Sequence, residues 1–357
     1  MNEQSKGLYR QAGRKALMDV LEGRVPSRRP IWLMRQAGRY LPEYMAMRSK
    51  AGSFLDLCYT PELAAEVTLQ PLRRFDVDAA IVFADILLVP HALGVRVTFQ
   101  AGEGPVVERV ADAGRVAQLA GRPLGTEVEA VYETVRQVRG KLAPEVALIG
   151  FCGAPWTVAT YLIEGGSSAE RVAARVAAFR GEGWLDTLID ELVSVSIEYL
   201  AGQVGAGADC VQIFDSWAGD LPDGLRQRYC FAPIRRIIEG LKARCGAVPV
   251  IGFARGLGAA HAGFIEATGI QACGLESSVP LDWAARVLTP VVAVQGNLDP
   301  VSLLAPGRGL EQDVARIATA LPFERHVFNL GHGVRPETDP RAVASLVDTV
   351  RRVDGGR

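Results

Sequence analysis

The sequence predicts an α/β protein built as a single (β/α)8 TIM-type barrel, on three observations. Short apolar, β-branched runs recur along the whole chain, segments with helical spacing separate them, and no linker, repeat or shift of composition divides it. The 357 residues, 49% hydrophobic and 22% charged, describe an ordinary globular chain with enough apolar material for a large core. Disorder, collagen and coiled coil are excluded by the same figures. One domain is expected over 1–357, with a helical N-terminal extension over about 1–25 and a tail over about 353–357 without fixed structure.

In order, the runs are Pro30 to Met34, Asp78 to Phe83, Val146 to Phe151, Ala208 to Phe214, Val248 to Phe253, Ala272 to Leu275, Val291 to Val294 and His326 to Leu330. They are continuously apolar rather than alternating, which marks strands covered on both faces, as in a parallel sheet. Eight such runs interleaved with helices suit a closed barrel better than an open doubly wound sheet.

Between the runs, Thr126 and Glu129 have the spacing of a capping box ahead of Val128, Val131, Tyr132, Val135 and Val138. Thr60-Pro61 and Asp339-Pro340 read as N-cap plus N1-proline starts, the second opening a helix with Val343, Leu346, Val347 and Val350 on one face. Val95, Val97 and Phe99 alternate before a Gly102-Glu103-Gly104-Pro105 turn into Val106 and Val107, which reads as a β-hairpin inserted after the second strand. Val146 to Ile163 is uncharged over 18 residues, but Gly150, Gly153 and Pro155 break it, so it reads as a buried strand, loop and helix rather than a membrane span.

A formal net charge of −1 gives no overall electrostatic footprint for nucleic acid. The six cysteines, Cys58, Cys152, Cys210, Cys230, Cys245 and Cys273, form no CxxC pair and sit mostly in apolar runs. They read as reduced core thiols of a cytoplasmic protein. The start of the chain has no apolar segment of the secretory type.

Catalytic groups in such barrels gather at the C-terminal ends of the strands. The eight runs end in Arg35, Asp85, Cys152-Gly153-Ala154-Pro155, Asp215-Ser216, Arg255, Glu276, Gln295-Gly296-Asn297 and Gly331-His332-Gly333, a converging set of acids, bases and cations. No GxGxxG, GxxxxGK[ST] or GxSxG occurs, and His91, His261, His326 and His332 lack metal-ligand spacing. Neither a cofactor nor a metal is expected.

Met34-Arg35-Gln36-Ala37-Gly38-Arg39-Tyr40-Leu41-Pro42-Glu43-Tyr44 carries the most information. Two arginines separated by small residues present guanidinium forks on a backbone that an anionic ligand can approach. A surface arginine pair bound to local carboxylates is the plain alternative.

The segment resembles the uroporphyrinogen decarboxylase family. The resemblance continues, in order, through Val82-Phe83-Ala84-Asp85-Ile86-Leu87, Gly153-Ala154-Pro155-Trp156-Thr157 leading to Tyr161, Phe214-Asp215-Ser216-Trp217-Ala218-Gly219, Gln295-Gly296-Asn297-Leu298-Asp299-Pro300 and Asn329-Leu330-Gly331-His332-Gly333. It implies one barrel, working as a cytoplasmic homodimer without cofactor, that converts the four acetates of uroporphyrinogen to methyl groups and yields coproporphyrinogen.

It further implies that Arg35 and Arg39, with Gln36, Ala37 and Gly38 between them, hold substrate carboxylates. Asp85 would accept the pyrrole N–H groups, while Tyr161, Ser216 and His332 would make further substrate contacts. Arg48 is a weaker candidate for a second carboxylate, and Arg255 reads as a rim salt bridge. The proton donor stays open between Arg35, His332 and water. Ala84 stands where many members of the family have Ser, and Glu276 where Asp is expected, which leaves the role of Glu276 undecided.

The chemistry points the same way. An acetate on a pyrrole loses CO2 only if the ring accepts the electron pair, and a proton on a ring carbon creates that sink as an iminium-like cation. A fixed carboxylate such as Asp85 would stabilise it. A zinc methyltransferase of related fold would need a His-x-Cys ligand set, but the corresponding strand end reads Gly252-Phe253-Ala254-Arg255-Gly256. A tetrapyrrole carrier would keep the arginines and have no use for Asp85.

Overall fold

The computed structural model describes residues 14–100 and 104–355. Seven strands form one parallel curled sheet, ordered β1 (Ala79–Ile81), β4 (Ala147–Gly153), β5 (Cys210–Asp215), β6 (Val250–Ala254), β7 (Ala272–Gly274), β8 (Ala293–Leu298) and β9 (His326–Leu330). The remaining two, β2 (Val97–Gln100) and β3 (Gly104–Val107), pair antiparallel as a separate ribbon after β1. Residues 101–103, where the turn between them was expected, lie outside the described residues.

The first of the eight predicted runs is not a regular strand. Ile31 makes a single parallel bridge to Phe328, since Pro30 has no N–H to extend a ladder and the chain turns away at Arg35. The segment nevertheless bonds both edges of the sheet. Phe328 N–H donates to Pro30 O (2.8 Å) and Trp32 N–H to Phe328 O (3.3 Å), while Asp78 N–H donates to Ile31 O (2.7 Å).

Two apolar layers result, one on each face of the sheet. Trp32, Ile149, Cys210, Ile251, Phe253 and Val327 pack together on the concave face, and the larger cluster joins the convex face to the helices. Leu17, Val20 and Leu21 of helix Ala16–Leu21 join the inner cluster, each burial contributing about 1.5–3 kcal/mol. Among residues 14–25 this helix is the one regular element of the expected extension, and residues 1–13 lie outside the described residues.

Below the strands, buried Asp78 accepts from Ile31 N–H (2.7 Å), Arg28 (2.6 Å) and Arg351 (2.7 Å), tying helix Pro340–Gly355 to the first run. Removing one partner of such a buried charge cluster typically costs about 3–5 kcal/mol.

The local helix signals are realised unevenly. Helix Pro61–Arg74 starts at its proline but Thr60 gives no side-chain cap, whereas Asp339 does cap its helix through Arg341 N–H (2.8 Å). The Thr126/Glu129 box does not form: helix Val128–Lys141 starts one residue later than a Thr126 cap requires, with Glu127 as N-cap, and Thr126 contributes only its carbonyl, to Glu129 N–H (3.1 Å). Of the loose tail expected over about 353–357, residues 353–355 instead continue the final helix, with Asp354 accepting from buried Arg29 (3.2 Å), and residues 356–357 lie outside the described residues. Strand β4 passes through Ala154 alone into helix Pro155–Glu164, and no helix of the described residues is long and apolar enough to cross a membrane. All six cysteines are free, and five are buried.

Candidate active site

Side chains alternate along a strand, so the positions that continue each inward register reach over the C-terminal mouth of the sheet. Ala79 and Ile81 lead to Asp85, Cys210 and Phe214 to Ser216, and Ile251 and Phe253 to Arg255. Arg35 leaves the first run after Trp32 and Met34.

Arg35 adopts a left-handed backbone at φ 61°, uncommon for a residue with a Cβ. Its neighbours fix it there. Asn329 Oδ1 accepts from Met34 N–H (3.0 Å), Val334 N–H donates to Met34 O (2.9 Å), and Gln36 bridges Leu33 N–H (3.0 Å) and Ala79 O (3.0 Å). Its side chain lies flat over Gly333, where an added Cβ would stand 2.3 Å from Arg35 Cδ. Glycine at 333 therefore makes room for the guanidinium arm.

Gln36 is thus a scaffold residue. Its amide is buried, its N–H donates to Leu33 O (2.9 Å) and its carbonyl accepts from Tyr40 Oη (2.8 Å), so it offers nothing to a ligand. Ala37 and Gly38 remain half-buried beside it, and no partner of their N–H groups is found among the described residues.

Arg35, at the mouth, and Arg39, four residues on, are exposed, and neither makes an ion pair among the described residues. Arg48 lies 5.9 Å over the Phe54 ring, and burial pushes the Tyr44 hydroxyl's pKa up against the opposing charges of Arg48 and Arg39. Arg255 is exposed as well. The rim salt bridge expected of it does not form, because no carboxylate among the described residues reaches it.

Asp85 is half-buried, with one oxygen accepting from Leu87 N–H (2.9 Å). Burial pushes its pKa up, and the Leu87 bond and the Arg35 charge oppose that rise. Tyr161, on helix Pro155–Glu164, is raised by burial and by Asp85, against Arg35, Arg171 and the Ser167 hydroxyl. Asp85, Tyr161 and Arg35 therefore share one electrostatic neighbourhood.

His332 faces the Phe253 ring at 6.4 Å. Burial first, then Arg35 and Arg255, push its pKa down to about 4, so at neutral pH it is an uncharged imidazole. Ser216 is half-buried just beyond β5.

Sequence reasoning assigned no role to several residues that the structure brings to the site. Buried Asp215 accepts from Thr157 Oγ1 (2.7 Å), and burial lifts its pKa to about 6. Arg171 stacks 4.0 Å over Trp217 and pairs with Asp220, bringing the start of helix Val172–Arg180 against the Ser216 loop. Both Thr157 and Asp215 belong to quoted motifs, but the contact joins positions 58 apart in sequence and no spacing announces it. Glu276 is buried 3.5 Å from His261 Nε2 and makes no ion pair with an arginine among the described residues.

Among the described residues no cluster of three His, Cys, Asp or Glu could hold a metal ion. The site thus offers a carboxylate of raised pKa, unpaired guanidinium groups and neutral hydrogen-bond donors.

A family model described as uroporphyrinogen decarboxylase (URO-D) matches residues 12–353. A uroporphyrinogen decarboxylase of Rhodospirillum rubrum is 48% identical over 337 residues, covering 94% of this chain and 97% of that protein. One from Brucella canis is also 48% identical over 337 residues, covering 94% and 98%. Among solved structures, a methyltransferase from Methanosarcina mazei superposes with a TM-score of 0.76 at 18% identity, over 94% of this chain and 97% of that one. At that identity the likeness concerns the fold alone.

Proposed function

The chain belongs to the uroporphyrinogen decarboxylase family and is a carboxy-lyase of haem synthesis, and from that premise we propose how its own residues carry the reaction. The observation that supports this reading best is the Asp85 carboxylate, isolated from any ion pair among the described residues yet set in the neighbourhood of the Arg35 guanidinium.

The substrate is a macrocycle edged by eight carboxylates, with four pyrrole N–H groups pointing to its centre. Arg35 and Arg39 bind edge carboxylates through bidentate forks, aided by the amides of Ala37 and Gly38. Asp85 accepts the central N–H groups. In each cycle a ring carbon takes a proton, the C–C bond to the carboxylate breaks, and its electron pair neutralises the iminium nitrogen through an exocyclic double bond. The exocyclic carbon then takes a proton to become methyl and the ring carbon loses its own, so each CO2 released consumes one proton. Asp85 stabilises the cation in a partly desolvated place, where a fixed charge acts strongly.

The donor of the first proton is Arg35 or a water it holds. Neutral His332 hydrogen-bonds a carboxylate rather than protonating the ring, and Tyr161 and Ser216 serve as hydroxyl contacts. Nothing in this scheme calls for a metal or an organic cofactor, and activity should survive dialysis against a chelator.

The same reading takes the Pro30–Leu33 segment as the eighth stave of a closed barrel in one domain, with the β2/β3 ribbon as its insertion. It also takes the protein as a cytoplasmic homodimer. Val172, Val176 and Phe179 leave an exposed apolar stripe at i, i+4 and i+7 on the helix that starts beside Trp217, a surface that a second copy would cover. Light scattering of the parent and of Phe179→Asp tests the dimer, and a monomeric parent at micromolar concentration would remove it.

Anaerobic incubation with reduced uroporphyrinogen, then oxidation and separation of products by carboxylate number, tests the reaction. Intermediates with seven, six and five carboxylates should precede a four-carboxylate end point. Stoichiometric binding without CO2 release would instead identify a carrier.

A further inference from the structure

We propose that Arg255 is a second carboxylate anchor, holding the edge of the macrocycle that lies across the mouth from Arg35 and Arg39. The inference rests on the substrate assignment above and adds a binding residue to it.

Arg255 directly succeeds β6, in register with the inward residues Ile251 and Phe253. In the ring that starts with the 30–33 segment and continues β1, β4, β5, β6, that strand is the fifth of eight staves and faces the first. Arg35 and Arg255 therefore leave opposite walls.

The Arg255 backbone is fixed while its side chain is not. Its N–H donates to Asp215 O (3.0 Å) and its carbonyl accepts from Gly219 N–H (3.0 Å). Gly219 and Gly256 meet so closely that a Cβ on Gly219 would stand 2.7 Å from Gly256 O. These contacts bind the base of Arg255 to the loop that carries Ser216. The guanidinium itself is exposed and makes no hydrogen bond or ion pair among the described residues.

His332 connects the two walls. Its ring packs against Phe253, two residues before Arg255, and its protonation is opposed by burial first and then by Arg35 and Arg255 together. A macrocycle with carboxylates all round its edge needs cations on both sides to keep its plane centred over Asp85; guanidinium groups on one wall alone would let it tilt. An exposed anchor also suits a substrate that must be released and rotated between successive decarboxylations, because a solvated ion pair is weak and exchanges readily.

The test compares the parent with Arg255→Ala, Arg255→Lys and Arg255→Glu, all expected to fold because the replaced side chain touches solvent. Steady-state kinetics on uroporphyrinogen should show KM raised about 5-fold for Ala, less for Lys and more for Glu, with kcat within about 2-fold. Fluorescence titration with uroporphyrin, the oxidised ring with the same carboxylates, should weaken in the same order. In Arg255→Ala the His332 resonance should titrate above its parent value of about 4, because one of the two cations that add to burial in depressing it is gone. Unchanged KM and uroporphyrin affinity in both Ala and Glu variants of an active parent overturn the anchor alone. A parent that binds uroporphyrin but releases no CO2 overturns the decarboxylase reading, and the affinity series still decides Arg255.

Discussion

Thr157 Oγ1 donates a 2.7 Å hydrogen bond to the buried Asp215 carboxylate, and this contact joins the helix bearing Tyr161 to the strand end bearing Ser216. Neither partner faces the mouth. Together they set the spacing of two residues proposed to touch substrate.

Asp215→Asn keeps an acceptor for Thr157 and removes the ionisation. An acid whose pKa sits at about 6 in the fold, against 3.8 as reference, costs stability progressively as pH rises through that window and fully above it. The variant should therefore gain on the parent between pH 4 and pH 7.5, by at most about 3 kcal/mol. Thermal melts across that range check it, and a constant difference in Tm would show that folding does not shift the Asp215 pKa. Thr157→Val, which breaks the contact, should raise KM.

Asp85→Asn should lower kcat about 10²- to 10³-fold, the usual cost of losing one preorganised electrostatic partner. Its stability should be equal or higher at neutral pH, because burial raises the parent's pKa and the ionised form is the strained one. Asp85→Glu should lose less kcat, since the charge is kept but displaced by a methylene. Single-turnover rates and melts measured on the same samples decide this, and a variant within a few-fold of the parent rate would end the role of Asp85.

Gly333→Ala places a Cβ where Arg35 Cδ now lies, 2.3 Å away. A flexible arm moves more cheaply than backbone, so the protein should fold with nearly unchanged Tm while the guanidinium is pushed aside. We expect KM to rise about tenfold, the scale of one charge-assisted contact. A large fall in Tm with unaltered KM in the remaining folded enzyme would show that Arg35 does not bind substrate in this pose.

His332 should leave no ionisation in the profile of kcat/KM between pH 5.5 and pH 8, because its pKa is depressed to about 4 and it is neutral throughout. His332→Gln keeps a neutral donor and should retain most activity, whereas His332→Leu should not. A limb near pH 6.5 that vanishes in His332→Gln would contradict the neutral assignment.

Much of the fold was legible without coordinates. Strand positions come from largely apolar runs, since a strand covered on both faces is built mostly from apolar residues, and β9 occupies the predicted His326 to Leu330. Val343, Leu346, Val347 and Val350 are all buried, as helical spacing required. Arg35, Asp85 and His332 were read from their places at the ends of the apolar runs and from the family resemblance of the motifs around them.

The tertiary structure decided what depends on neighbours remote in sequence. Gln36 looked like part of an anion-binding backbone and is a scaffold, since Leu33 and Ala79 occupy its amide. Arg255 looked like a rim ion pair and is unpaired, since no acidic side chain reaches it among the described residues. The protonation of His332, the partnership of Thr157 with Asp215 and the arm of Arg35 over Gly333 all arise where separate strands converge. Periodicity is local, so the chain order fixes which residues are helical or extended. Electrostatic and packing partners depend on distance through space, which exists only once the sheet has curled.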